Sequence, residues 1–279
     1  MLFWEWEVDR EVEADLESID CRLREDWFYW RLLATGLSFV LFGVGQLTLG
    51  ILVLPLVRLL PGGRAAREAR TRALLRGAFR LFIWFMRSAG VLSYEFCGAE
   101  RLGRPGQLIV ANHPSLIDVA FLLAFVPGAN CVVKDALFRN PFTRFAVRGA
   151  GYLRNFPAER MIEGAAAALH GNQSVIMFPE GTRTRTGKPL QFHRGAASIA
   201  IRAVAVVSPV FIRVQPSALT KAAPWYRIPP RRPHFSLRAG DDIGIGPLRG
   251  ADCPPAASRE FNDRLLAAFT GEIGPERTR

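Results

Sequence analysis

From Leu32 to Val57 the chain runs for 26 residues without a charge. As a helix rising about 1.5 Å per residue the stretch would be about 39 Å long, more than the roughly 30 Å hydrocarbon core of a bilayer. Apolar stretches of this length rarely belong to soluble domains, so this one predicts a membrane helix or hairpin ahead of whatever follows. It does not read as a cleaved signal, because it begins behind an acidic leader and lacks a basic start and a small-residue cleavage site. Gly36, Gly43, Gly45, Gly50 and Pro55 interrupt it. A tilted single span and a bent re-entrant hairpin of two half-length helices therefore both stay open.

Arg58, Arg64, Arg67, Arg70, Arg72, Arg76, Arg80 and Arg87 follow at once, opposed only by Glu68. An arginine excess beside an apolar span marks the cytoplasmic side. Arg72, Arg76, Arg80 and Arg87 share one helical face, with Leu74, Leu75, Phe79, Phe82, Phe85 and Met86 elsewhere. Such a helix lies at lipid headgroups, packs on the next domain, or does both. Residues 1–30 hold ten acids and three arginines, so the body carries +18 of the formal +11. Of the 36 basic residues 33 are arginine, whose planar forks match phosphate oxygens. Anionic lipid, a phosphorylated substrate and an acidic carrier protein fit that balance. No nucleic-acid fold motif accompanies it, so nucleic acid is not an expected partner. Cys21, Cys97, Cys131 and Cys253 are scattered with no C-x-x-C pair. That argues against a zinc site or a disulfide framework and suits a reducing compartment.

From Leu92 onward short apolar strands alternate with helices. Candidate strands are Leu92–Cys97, Gln107–Ala111, Asn130–Lys134, Gly151–Leu153, Ser174–Phe178, Ser208–Val214 and His234–Ala239. Candidate helices are Ser115–Phe125, Pro141–Arg148, Ala158–His170, Gly195–Val204 and Ser258–Phe269. This order predicts an α/β fold with a mixed, mostly parallel central sheet flanked by helices. The domain plan is an acidic segment 1–30, a membrane segment 31–60, a basic amphipathic helix 61–90, a catalytic domain 91–270 and a polar tail 271–279.

Two short segments carry chemistry: Asn112-His113-Pro114-Ser115-Leu116-Ile117-Asp118 and Phe178-Pro179-Glu180-Gly181-Thr182-Arg183. Both fall just beyond strands, where open α/β sheets place ligands. Inside one helix, residues five apart are separated by about 140° and could not meet. His113 is therefore expected before a helix that opens at Pro114, with Asp118 one turn later leaning back to the imidazole. Asp118 would fix the tautomer and leave the other ring nitrogen to take the proton of an alcohol. Ser115 is expected to cap or pack rather than act as a nucleophile. Gly181 would let backbone N–H groups approach an anion, and Arg183 would grip a phosphate. Glu180 is assigned to an acceptor hydroxyl or to that arginine. Lys134 and Arg194 are secondary phosphate candidates, and His170, His193 and His234, lacking a partnered acid, are expected to be structural or exposed. The aromatic, proline-rich loop around Trp225, Tyr226 and Arg227 suits either a lipid interface or packing on the domain. No metal constellation is visible, and the chemistry calls for none.

The paired segments resemble the signature of the glycerolipid acyltransferases, the lysophosphatidic acid acyltransferase family, whose first two blocks read N-H-x-x-x-x-D and F-P-E-G-T-R. The resemblance runs from about Leu92 to Pro216 and takes in Lys134, Pro141, Arg194-Gly195 and Ser208-Pro209-Val210-Phe211-Ile212. It implies catalysis by His113 and Asp118, and substrate binding by Asn112, Glu180, Gly181, Thr182, Arg183, Lys134, Arg154 and Arg194. The donor it implies is acyl-CoA or acyl carrier protein, the acceptor lysophosphatidic acid or another lysophospholipid, and the place the cytoplasmic face of a membrane, with no cofactor. One block departs: where the family reads G-x-x-F-x-x-R, the chain has Gly149-Ala150-Gly151-Tyr152-Leu153-Arg154-Asn155, so Asn155 fills the arginine slot and Arg154 sits one early. Another lipid-like acceptor, such as an amino-acid lipid or a secondary-metabolite lipid, stays open for that reason. From another class, a non-catalytic membrane-docking protein also fits the apolar segment and the arginine helix.

Overall fold

The computed structural model describes residues 27–185, 187–203, 205–248 and 254–273. Most of the acidic segment 1–30, most of the tail 271–279, Cys21 and Cys253 lie outside the described residues. The apolar stretch forms one unbroken helical run, Phe28–Leu59, of 32 residues. It consists of α1 (Phe28–Thr48), a π-helical turn (Leu49–Val53) and α2 (Leu54–Leu59). Pro55 lacks an N–H and crowds the preceding turn, and the wider π turn just before it takes up that misfit without breaking the helix. Of the two alternatives for the apolar stretch, the structure shows a continuous helix rather than a hairpin of half-length helices, and its antiparallel partner is the arginine helix, α3 (Arg64–Ser88). The two ends meet where the Trp30 indole donates to the Ala89 carbonyl at 3.0 Å. In between, Phe42 packs on Phe79 and Phe82 with ring centroids 6.1 and 5.3 Å apart.

The glycines that looked like interruptions are a docking stripe. Gly36, Gly43 and Gly50 recur every seven residues, on one face of the helix. Trp225 lies over Gly36 and Phe142 over Gly43, while a side chain at Gly50 would come within 2.8 Å of Phe145. The domain that follows thus inserts aromatic rings where the helix carries no side chain.

Helix α3 buries Leu75, Phe79, Ile83 and Met86. Arg72 is also buried, and its guanidinium donates to the Ala150 carbonyl at 2.8 Å, while Arg76 donates to the Ala124 carbonyl at 3.3 Å. Both carbonyls stand at helix C-termini, where backbone acceptors are left over and positive charge is favourable. Arg72 and Arg76 therefore pack on the domain, one of the two alternatives left open for this helix, whereas Arg80 and Arg87 are exposed.

The remaining elements are β1 (Ser93–Cys97), β2 (Gln107–Ala111), α4 (Asp118–Phe125), β3 (Asn130–Val133), α5 (Arg144–Gly149), β4 (Leu153–Arg154), α6 (Ala158–His170), β5 (Val175–Met177), α7 (Gly195–Ala203), β6 (Val206–Gln215), β7 (His234–Ala239) and α8 (Pro254–Ile273). They form the expected mixed sheet, seven strands in the order β1-β7-β6-β2-β5-β3-β4. Neighbours run parallel except β6 and β7. The central strand β2 is buried throughout, as a strand covered on both faces must be. Ile109 and Ala111 point to a core shared with α3 and α4, whereas Leu108 and Val110 point to one shared with α6, α7 and α8.

Because β2 and β5 are parallel in register, with Val110 opposite Met177, three further residues on each strand bring His113 beside Glu180. The spacing of the two motifs in sequence equals the register offset of the strands. The same edge receives the chain after β3 at Lys134, after β4 at Asn155 and after β6 at Pro216.

Packing at the glycine stripe is testable in the full chain in detergent. Gly50→Ala is expected to lose about 1–3 kcal/mol through overpacking against Phe145. Gly45→Ala, which meets nothing within 4 Å, is expected to gain about 0.5–1 kcal/mol from helix propensity. Thermal unfolding of the two variants, compared with the parent, checks the contrast.

Candidate active site

Residues 114–117 form a turn, and α4 begins only at Asp118, so the helix starts three residues later than Ser115. The turn is closed by the Asp118 carboxylate itself. Its Oδ2 accepts from the Ser115 backbone N–H at 2.7 Å and from His113 Nδ1 at 2.9 Å. A proton on Nδ1 leaves Nε2 with its lone pair free. Among the described residues Nε2 has no hydrogen-bond partner. Asp118 is wholly buried and the His113 side chain is 15% exposed, an imidazole reachable from one side above a carboxylate that water does not touch. The Phe178 ring lies against the imidazole, centroids 4.5 Å apart. Ser115 is fully buried, and its hydroxyl has no partner among the described residues. It packs, as expected, while its N–H rather than its side chain serves the turn.

Glu180 holds the two motifs together. Its Oε1 accepts from the His113 backbone N–H at 2.8 Å and from the Thr184 hydroxyl at 2.8 Å, and Thr184 N–H in turn donates to the His113 carbonyl at 2.7 Å. The carboxylate therefore binds the backbone of the histidine, not the neighbouring arginine. Gly181 takes φ +64° and comes up against the His193 ring, where a Cβ would lie 3.2 Å from Cδ2. That left-handed turn is where a glycine is required. Arg183 Nη1 donates to the carbonyls of Leu219 and Thr220 at 2.9 and 2.8 Å, and the same Leu219 carbonyl accepts from Leu116 N–H. The guanidinium braces the loop after β6 against the turn that carries His113.

The other expected site residues fall into two groups. Thr182 sits half-buried in the same turn as Gly181. Asn112 is buried, and both ends of its amide are taken by Ile212, whose N–H and carbonyl pair with it at 2.8 Å. The structure gives Asn112 the task of locking β2 to β6 in place of substrate binding. Arg154 is drawn away to Asp135, at 2.7 Å, and stacks over Phe138. Asn155, in the slot of the departing block, accepts from Asp135 N–H through its side-chain oxygen at 3.0 Å. Lys134 is exposed at the end of β3, and Arg194 is exposed ahead of α7. Of the other histidines, His170 and His193 are exposed and His234 hydrogen-bonds Ser93. Sequence reasoning missed Thr184 and Leu219. Leu219 adopts φ +53°, which nothing in a leucine announces. Behind Ile117 and Leu219 lies a small cavity of about 20 Å³, walled by Met86, Leu92 and Phe235 with Arg31 and Thr35 of α1 at its edge. Its lining is mainly apolar.

Burial raises the Asp118 carboxyl above the ordinary carboxylate range, against the lowering effect of the His113 and Ser115 hydrogen bonds and the Arg183 charge. Burial likewise raises Glu180, against the hydrogen bonds from Thr184 and His113. A carboxyl raised on folding binds more protons folded than unfolded between its two pKa values. Its contribution is fullest below that window and falls as pH rises through it. Asp118→Asn and Glu180→Gln should therefore lose less stability than the parent as pH rises from about 4, the unfolded carboxyl value, through the raised folded values. Glu180→Ala, which strands the His113 N–H and the Thr184 hydroxyl, should cost about 1–3 kcal/mol that Glu180→Gln does not. Unfolding free energies measured across that pH range check both.

Comparison with known proteins bears on this site directly. Residues 93–213 match the model of the Acyltransferase family. The chain is similar to the 1-acyl-sn-glycerol-3-phosphate acyltransferase of Pseudomonas aeruginosa, 26% identical over 184 residues that make up 64% of this chain and 70% of that protein. It is 31% identical over 113 residues to the enzyme of the same name from Helicobacter pylori, spanning 38% of this chain and about half, 48%, of that protein. The crystal structure of the 1-acyl-sn-glycerophosphate (LPA) acyltransferase PlsC from Thermotoga maritima has the same fold, with a TM-score of 0.66 over 93% of this chain and 100% of that one, at 21% identity. The residues matched by that family model, 93–213, carry His113, Asp118 and the Phe178–Arg183 turn.

Proposed function

We propose that the protein is a membrane-associated O-acyltransferase that moves a fatty acyl group from a thioester, acyl-CoA or acyl carrier protein, to the hydroxyl of lysophosphatidic acid, giving phosphatidic acid. The observation that carries this reading is the His113 imidazole, held through Nδ1 by a buried Asp118 and open at Nε2. In the reaction Nε2 takes the proton of the acceptor hydroxyl as its oxygen attacks the thioester carbonyl. The tetrahedral intermediate collapses with loss of the C–S electron pair to sulfur, and the imidazolium returns the proton to the departing thiolate. Asp118 keeps the Nδ1 proton in place and stabilises the transient positive charge. Asp118, Glu180 and Arg183 position the base and its turn.

The acceptor follows from the two relatives, both named as 1-acyl-sn-glycerol-3-phosphate acyltransferases. The membrane reading follows from the 32-residue apolar helix, whose Leu33, Leu37, Val40, Leu41 and Val44 are exposed. The arginines after it support the cytoplasmic face. Exposed Lys134 and Arg194 on the domain suit an anionic donor of either kind. A second reading keeps the chemistry and changes the acceptor to another lipid-like hydroxyl. It is favoured by Asn155 standing where the family has arginine, and by Arg154 being committed to Asp135. A docking protein without catalysis would leave the His113–Asp118 pair without a purpose.

Acyl transfer by the purified full chain, with labelled acyl-CoA and acyl carrier protein offered to a panel of lysolipids, tests this. Lysophosphatidic acid is expected to be the best acceptor, and His113→Ala to lower the rate about 100- to 10,000-fold. Faster transfer to an acceptor without a phosphomonoester would select the second reading, and an unaffected His113→Ala variant would refute the base.

A further inference from the structure

Two arginines beside the edge strand β4 are pinned by a single carboxylate. Asp135 Oδ1 accepts from Arg154 Nη1 at 2.7 Å, and its Oδ2 lies 3.2 Å from Arg139 Nη2. The Arg154 guanidinium also lies over the buried Phe138 ring, 4.3 Å from its centroid. Asp135 is fixed in turn, because its N–H donates to the Asn155 side chain at 3.0 Å. Arg154 is nevertheless 48% exposed and Arg139 77%, and ion pairs so open to water add little stability. One negative charge against two positive ones leaves the cluster cationic, and exposed Lys134, next in the chain to Asp135, adds to it. Arg154 Nε and Nη2 have no hydrogen-bond partner among the described residues. The result is a pair of guanidinium forks, held in place, with donors left over for an anion.

We propose that this cluster binds the phosphate that closes the pantetheine arm of the acyl donor, a group that acyl-CoA and acyl carrier protein share. The proposal rests on the acyltransferase reading above and deepens it by giving the donor a binding site apart from the acceptor's. Strand register supplies the distance. With Val110 opposite Met177, Cys131 opposite Ile176 and Val133 opposite Arg154, Asp135 leaves β3 level with Glu180 and His113. From β2 the sheet runs through β5 and β3 to β4. Three strand spacings of about 4.8 Å set Arg154 roughly 14 Å to the side of His113. The acceptor's own phosphate does not span that gap. It hangs on the carbon beside the one that bears the reacting hydroxyl, four bonds away, or about 5 Å at the roughly 3.5 Å per three bonds of an extended chain. The donor's arm, about thirteen bonds from the thioester sulfur to phosphorus, reaches about 15 Å on the same scale. A thioester carbonyl at His113 Nε2 thus brings that phosphate to Arg154 and Arg139. Asn155, in the slot of the departing block, serves the cluster by fixing the turn that carries Asp135.

The test is steady-state transfer to lysophosphatidic acid by the full chain in detergent. Acyl-phosphopantetheine and acyl-pantetheine, which differ only in the phosphate, are compared as donors, with acyl-CoA and acyl carrier protein as further arms. The parent is expected to use acyl-phosphopantetheine with the higher kcat/KM. The variant carrying both Arg139→Gln and Arg154→Gln is expected to cut that preference about 10- to 100-fold, through the KM of the donor and not that of lysophosphatidic acid. Both donors are read on one preparation, so partial unfolding of the variant leaves the ratio untouched. An accompanying KM rise with acyl-CoA, with the carrier protein or with both names the donor that brings the phosphate. A parent without the preference, a variant that keeps it, or a rise confined to the KM of lysophosphatidic acid would overturn the site and leave the acyltransferase reading standing. A parent that transfers from none of the four donors would contradict that reading, and the site with it.

Discussion

The site depends on one hydrogen bond set by strand register. With β2 and β5 parallel and Val110 opposite Met177, the residues leaving the two strands stay side by side, and the Glu180 carboxylate receives the His113 N–H. A buried N–H without an acceptor is costly, so this bond fixes how the chain departs from β2. That departure angle lets Asp118, five residues on, reach back to Nδ1 while also closing the turn on Ser115. Thr184 adds a second tie between the segments. The imidazole is thus positioned by backbone geometry on one side and by a buried carboxylate on the other.

A second layer holds that arrangement to the rest of the molecule through arginines that donate to backbone carbonyls. Arg183 ties Leu219 and Thr220 to the His113 turn, and Arg31 of the apolar helix donates to the Pro229 and Pro230 carbonyls of the same loop. Arg72 and Arg76 reach helix C-termini in the domain. A guanidinium can satisfy two acceptors and keeps its charge when partly buried, which lysine does less well. The arginine-rich composition therefore serves internal bracing as well as the basic surface.

The parts of this fold set by periodicity were legible in the sequence. The strands bearing the motifs, the α/β order and the placement of both loops at strand ends all followed from alternating apolar runs. His113 and Asp118 could be paired by helical geometry, although the helix proved to start at Asp118 and not at Ser115. What stayed hidden depends on partners remote in sequence. Nothing local says that Asn112 will spend its amide on Ile212, or that Arg183 will meet carbonyls 36 and 37 residues away. The glycines of α1 were misread for the same reason. Their seven-residue spacing looks like a weakened helix until Trp225, Phe142 and Phe145 are seen to fill it.

The central claim is that His113 carries its proton on Nδ1, toward Asp118, and keeps Nε2 as the base. Nitrogen-15 NMR of the imidazole in detergent-solubilised protein, with the His113 signal assigned by its loss in His113→Gln, reads this directly. The account predicts a neutral ring protonated at Nδ1 and bare at Nε2, reverting to a mixture in Asp118→Ala. A ring protonated at Nε2 in the parent protein would contradict it.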